Sequence, residues 1–139
     1  MRPKLSVLRA CARLLRPGGR TAFFTIHAAP GLTVSQRRQV SRHGPPAIAS
    51  RRTHRQLLEA AGFDEITETD YSDEFATVTQ GWIDQWDLHR GAMEAIWGAD
   101  HVKDRQRRRR GYLRTVRAGL MRRSLFTARR ALGSVPDVK

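Results

Sequence analysis

Leu14-Leu15-Arg16-Pro17-Gly18-Gly19-Arg20-Thr21-Ala22-Phe23-Phe24-Thr25-Ile26 is the stretch whose reading decides the fold. Ahead of it, Leu5, Leu8, Ala12 and Leu15 recur at three- and four-residue steps. Arg9, Arg13 and Arg16 fall off that face, so residues 5–15 read as an amphipathic helix. Pro17 cannot continue the hydrogen-bond ladder and the two glycines tolerate a tight turn, so the helix stops there. Thr21 to Ile26 is short, β-rich and apolar on both faces. That is the pattern of a strand covered on both sides, as in a parallel sheet flanked by helices. The stretch predicts a helix, a tight turn and a buried strand.

Working outward, His27 to Leu32 contains Pro30-Gly31 and reads as a loop at the end of that strand. Thr33 to His43 reads as a short basic helix, broken by Gly44-Pro45-Pro46. Thr53 and Gln56 have capping-box spacing, and the helix they open runs through Leu57, Leu58 and Ala61 to Gly62, with Phe63 behind it. Asp64 to Thr69 alternates as a strand expected to be less buried than the first. From Ser72, a candidate cap, the pattern is helical again, with Asp73 and Glu74 at the positive end of the dipole. Phe75, Val78, Trp82, Trp86, Met93, Ile96 and Trp97 fall largely on one stripe. A turn at Gly98-Ala99-Asp100 leads to a basic helix carrying Tyr112, Leu113, Val116 and Leu120 on one face. Arg122 to Arg130 reads as a final strand, and residues from Leu132 as a tail. No internal repeat and no linker divides the chain, so one domain is expected over 1–131, followed by a tail at 132–139.

Composition narrows the class. The 139 residues are 40% hydrophobic and 28% charged, which excludes a low-complexity tail. No window approaches the roughly 18 consecutive apolar residues of a membrane span. Arg9 and Arg13 interrupt the first apolar segment, which argues against a secretory signal. A single cysteine, Cys11, excludes a disulfide framework and a cysteine-rich zinc module, and predicts a reducing, cytoplasmic setting. The net charge of +13 is uneven: +8 over residues 1–69, −6 over 70–100 and +11 over 101–139. Such a balance bears on solubility and polyanion binding, and not on fold.

The order of helix, Arg-Leu-Leu-Arg-Pro-Gly-Gly-Arg, strand, helix ending in Leu-Leu-Glu-Ala-Ala-Gly-Phe, strand and final strand resembles the C-terminal half of class I S-adenosylmethionine-dependent methyltransferases. Leu14 to Gly19, Thr21 to Ile26, Leu57 to Phe63 and Gly119 to Arg130 carry the resemblance, which covers most of residues 5–130. It implies an α/β fold: a partial doubly wound, Rossmann-like sheet of about three strands with flanking helices. In that family the Pro-Gly-Gly turn precedes the fifth strand, and an antiparallel seventh strand closes the sheet. A helical pair at about 72–119 is then an insertion before the last strand, placed to cover the active-site end. The acidic, Trp-bearing helix and the arginine-rich helix would neutralise each other.

The resemblance implies S-adenosylmethionine as cofactor and a small molecule as substrate. The chemistry implied is an in-line methyl transfer, governed by positioning and desolvation. The family's donor loop is glycine-rich and an acidic residue binds the ribose, as in related dinucleotide folds. This sequence has no Gly-x-Gly-x-Gly, and no acidic residue precedes Glu59. Met1 stands where the family's helix before the fifth strand begins. The expectation is therefore a substrate-side half, truncated relative to the family, with no cofactor-binding and no catalytic residue assigned. A sheet of this kind leaves one edge of 21–26 without its neighbour, which predicts a partner chain completing the sheet or an aggregation-prone product.

Four residues stand as candidate substrate contacts. His27 follows the first strand, where open α/β sheets bind ligands, and reads either as a substrate contact or general base, or as a solvent histidine. Trp82 and Trp86 read as pocket walls or as plain core, and Tyr71 carries the same two readings. The five histidines lack metal-site spacing, and a helix start accounts for Asp70, Asp73 and Glu74, so no metal is expected. Arg105 to Arg110 supports an alternative of another class: a non-enzymatic basic module that binds nucleic acid or another polyanion. The competing reading is a solvated helix face paired with 70–100.

Overall fold

The computed structural model describes residues 3–45, 48 and 52–133. Its elements run α1 (Lys4–Leu14), β1 (Arg20–Ala28), α2 (Val34–His43), α3 (His54–Ala60), β2 (Phe63–Asp70), α4 (Ser72–Leu88), α5 (Arg90–Trp97), α6 (Ala99–Arg117) and β3 (Met121–Arg130). The three strands form one sheet in the order β1-β3-β2. Residues 134–139 of the expected tail, and Pro46 of the expected helix stop, lie outside the described residues.

The chain divides into two compact units. The first holds the described residues up to Thr25, those between 52 and 69, and those from Ser124 onward. Here α1 presents Leu8 and Ala12, and α3 presents Leu57 and Leu58, to a core shared with Ala61, Phe63, Phe126 and Ala128. The spacing of α1 thus does what its sequence predicts, with Leu5 and Leu15 at the margin of the same core. Phe23 of β1 stacks on Phe126 at 5.7 Å, and His54 stacks on its ring at 5.3 Å. Both expected helix starts form: Thr33 and Thr53 each accept from the amide three residues on, and the glutamine there returns the bond.

The Pro-Gly-Gly turn is fixed by geometry. Gly18 has φ +79°, open to glycine at no steric cost, and a Cβ on Gly19 would sit 2.9 Å from the Arg16 carbonyl. The Gly18 amide donates to the Arg130 carbonyl at 2.9 Å, and the Arg130 amide donates to Gly19 at 2.8 Å. The start of β1 therefore pairs with the end of β3. In the same unit the Ala131 amide donates to Gly62 at the head of β2. β3 is antiparallel to both neighbours.

The second unit holds residues 26–49 and 70–123, as far as they are described. Its core gathers Val40 of α2, Ile48, Val116 of α6 and Met121 of β3, with Ile26, Phe75 and Tyr112 packed against them. The antiparallel register appears here too: Ala29 donates to the Leu120 carbonyl at 2.9 Å and Tyr71 to Arg123 at 2.8 Å. Among the described residues no helix is long and apolar enough to cross a membrane.

Five expectations are corrected. β1 is not the buried strand: none of its residues is fully buried, and Phe24 is 49% exposed. The buried strand is β3, with Met121, Ser124, Phe126 and Ala128 at 0–2% exposure. Sheet order explains the exchange, since β3 is paired on both sides while β1 lies at an edge. His27 lies inside β1, which runs to Ala28, and not in the loop after it. The first inserted helix is two helices, broken at His89 (φ −103°, ψ 24°). An unbroken helix would hold Trp86 and Trp97 about 16 Å apart along its axis. The break lets their rings approach to 6.4 Å.

The stripe read from Phe75 to Trp97 is also rotated in fact. The buried residues of α4 are Thr79, Ile83 and Trp86, whereas Val78, Trp82, Ile96 and Trp97 are at least half exposed. Ser72 is the first residue of α4 and not its cap; Tyr71 holds the cap position without a side-chain capping bond.

Candidate functional site

At the carboxyl ends of β1 and β2 the second unit gathers His27, Asp70, Tyr71 and Ser72 around the amino end of β3. This is the end at which open α/β sheets bind ligands. Asp70 is the last residue of β2, and its Oδ1 accepts from the Ser72 amide at 2.8 Å and from the Ser72 hydroxyl at 2.5 Å. The Ser72 Oγ in turn accepts from the Arg123 amide at 3.1 Å, tying the start of α4 to β3. Arg122 lies 3.9 Å from the Asp70 carboxylate. The His27 Nδ1 lies 3.2 Å from the Ala28 carbonyl oxygen, within the strand end. Sequence reading treated Asp70 only as part of a helix start; its role as the acceptor that closes β2 onto α4 depends on the sheet and was not visible locally.

Electrostatics favour an ionised Asp70. Partial burial pushes its carboxyl up, but the two bonds from Ser72 and the charges of Arg122 and His27 outweigh that and hold it below the usual carboxylate range. A folded-state value below the unfolded one stabilises the fold at pH above about 4, and the contribution is lost as pH falls through the folded value. Urea midpoints measured between pH 6 and pH 3 should therefore fall for the parent chain. Asp70→Asn should flatten part of that decline, and an unchanged slope would contradict the network.

Behind Asp70, Phe75 meets Tyr112 edge-on, with ring centroids 5.4 Å apart, and the Arg123 guanidinium lies 5.4 Å from the centre of the Phe75 ring. Burial pushes the Tyr112 phenol up to about 12, against a smaller opposing pull from Arg123. An absorbance titration should show a phenolate step near pH 12 that disappears in Tyr112→Phe. A titration complete by pH 11 would show the ring to be solvated.

Trp82 and Trp86 belong to a different cluster. The Arg109 guanidinium sits 4.1 Å from the Trp86 ring centre and 5.6 Å from that of Trp82, a cation–π arrangement supplied by the chain itself. Trp86 also meets Trp97, which stacks on His101 at 5.1 Å. The structure thus places His27 and Tyr71 at the strand ends and puts the two tryptophans under Arg109. The rest of the arginine run is largely engaged as well. Arg107 and Arg108 both reach Asp104, and Arg110 reaches Asp87 at 2.6 Å. Gln106, fully buried, donates to the Ile83 carbonyl and to Asp87, joining α6 to α4.

The turn from β1 into α2 carries one glycine, Gly31, and β2 passes into α4 with no glycine at the junction. Among the described residues no three His, Cys, Asp or Glu side chains converge as metal ligands.

No protein-family model and no curated protein matches the chain in sequence. Solved structures match it in shape. A Galdieria sulphuraria protein assigned as a sarcosine dimethylglycine methyltransferase superimposes with a TM-score of 0.79 at 18% identity, over 92% of this chain and 47% of that one. Phosphoethanolamine N-methyltransferase 2 of Haemonchus contortus, solved with phosphomonomethylethanolamine and S-adenosylhomocysteine, gives 0.76 at 14% identity, over 94% and 30%. The cyclopropane synthase MmaA2 of Mycobacterium tuberculosis gives 0.70 at 15%, over 90% and 49%. The chain has the α/β fold of the C-terminal half of a class I S-adenosylmethionine-dependent methyltransferase. It spans about half the length of the first relative and under a third of the second.

Proposed function

We propose that this chain is the substrate-side half of an S-adenosylmethionine-dependent methyltransferase acting on a small molecule. In this reading the donor is gripped by a glycine-rich half whose residues lie outside this sequence. The observation that carries the reading is the sheet order β1-β3-β2, with β1 at the edge, in a fold that covers nearly all of this chain but half or less of each relative. An edge strand with free backbone groups is a template for pairing with a further strand. The half-exposed Phe24 and the edge of β1 meet that strand, supplied by a partner chain.

Within the assembled enzyme His27 and Tyr71 contact the substrate at the strand ends. Asp70, held ionised by Ser72 and Arg122, fixes the start of α4 and orients the His27 side of the site. Trp82 lends its exposed ring to the substrate wall, and Trp86 supports it through Arg109. The protein's tasks are to bind, orient and exclude water; the methyl group comes from the bound donor.

The test is assembly followed by transfer. The chain is co-expressed with the donor-binding residues of a methyltransferase of this fold and assayed for a complex that transfers labelled methyl to small amines and acids. A complex whose turnover drops about 10- to 100-fold in His27→Ala, with S-adenosylhomocysteine affinity unchanged, supports the reading. Turnover indifferent to His27 and Tyr71 contradicts their assignment.

A further inference from the structure

α2 turns Val40, at 1% exposure, into the core and leaves its opposite side bare. Ser35, Arg38, Gln39, Arg42 and His43 recur there at three- and four-residue steps and line a cavity of about 420 Å³. Its polar groups are of one kind. Two guanidiniums, a hydroxyl, an amide and an imidazole line it, and no carboxylate is among its lining residues. Among the described residues neither Arg38 nor Arg42 has a carboxylate partner, in contrast to Arg20, Arg107, Arg108, Arg110 and Arg129.

The cavity is also braced. His43 lies against Gly111 in the middle of α6, so closely that a Cβ on Gly111 would sit 2.5 Å from its Nδ1. Glycine inside a helix ordinarily costs stability relative to alanine. Here the missing side chain is what admits the His43 ring and holds it at the cavity wall.

We infer that the α2 cavity binds a phosphate monoester or a similar small tetrahedral oxyanion, held by Arg38 and Arg42 with Ser35, Gln39 and His43 as further donors. Guanidinium forks match phosphate oxygens in pairs, and one helical turn sets the two forks on the same side of the anion. A half-open hollow of this size suits a small ligand. An extended polyanion would need a continuous cationic track, and Arg107, Arg108 and Arg110 are held by Asp104 and Asp87 instead. The site stands whether or not the chain takes part in methyl transfer.

The experiment is a titration of the isotope-labelled full chain with inorganic phosphate, then with glycerol 3-phosphate, at constant ionic strength, followed by amide and arginine side-chain NMR. Saturable shifts confined to α2 and the Gly111 region are expected. They should weaken by about tenfold or more in the Arg38→Gln/Arg42→Gln double variant, whose substituted residues are exposed. Arg107→Gln/Arg108→Gln should titrate like the parent, and Gly111→Ala, which displaces His43, should weaken binding to a lesser degree. Tighter binding of the ester than of free phosphate would place an organic ligand in the cavity; equal binding would assign it to free phosphate. Shifts that never saturate, spread over all arginines or persist in the Arg38/Arg42 variant would overturn the site. Tighter, salt-sensitive binding of a short DNA duplex through the same arginines would replace it with a polyanion surface.

Discussion

Leu58→Ala is expected to remove about 3 kcal/mol of folding stability, in the middle of the range for a buried leucine truncated without collapse of its surroundings. Leu58 has no exposed surface and sits among Leu8, Ala12, Ala61, Phe63, Phe126 and Ala128, drawn from α1, β2, β3 and the turn between α3 and β2. All of these neighbours but Ala61 are held in helices or strands, so the void persists. Against a total of roughly 5–15 kcal/mol for a domain, that loss is large. Urea unfolding should show a lower midpoint with an unchanged slope. Leu14→Ala, at the last residue of α1 and 87% exposed, should stay within about 0.5 kcal/mol of the parent. A Leu58→Ala chain as stable as Leu14→Ala would mean that the core of the first unit is not the one described.

Phe24→Lys should separate folding from assembly. The residue is 49% exposed and lies on an edge strand, so its replacement should cost the chain less stability than truncation of the buried Leu58. Lysine on an edge is a natural block to strand addition. Association with a donor-binding half should therefore weaken by about 30-fold or more, the scale set by losing one central aromatic anchor. Sedimentation or calorimetry of the mixed halves reads the effect. Equal association of parent and variant would move the partner away from β1.

The local parts of this fold were legible in the sequence. The stop at Pro17-Gly18-Gly19, the capping box at Thr53 and the helix closing at Gly62 each depend on residues within a few positions of one another. Burial was not legible. The apolar run Thr21–Ile26 reads as a covered strand because a local pattern carries no sheet order, and in this chain it lies at the edge. The final strand around Leu125-Phe126 is the centre of the sheet, a place that depends on its pairing with both other strands, and Arg129 at its end reaches the Asp64 carboxylate. The break at His89 carries no proline or glycine signal at the residue itself, and only the meeting of Trp86 with Trp97 accounts for it. Of the candidate site, His27 was singled out from its position after an apolar strand and Tyr71 as an aromatic side chain. Asp70 and Arg122 were missed, since their meeting depends on the pairing of β2 with β3. The α2 cavity was missed because polar residues on an exposed helix face look the same whether or not they converge.

The central claim is that these residues carry the substrate side of a methyltransferase and not the grip on its methyl donor. Calorimetric titration of S-adenosylmethionine into the purified chain, alone and then assembled with a glycine-rich donor half, tests it most directly. No saturable heat from the chain alone and one donor per complex after assembly is the predicted result; micromolar binding by the unassisted chain would contradict it.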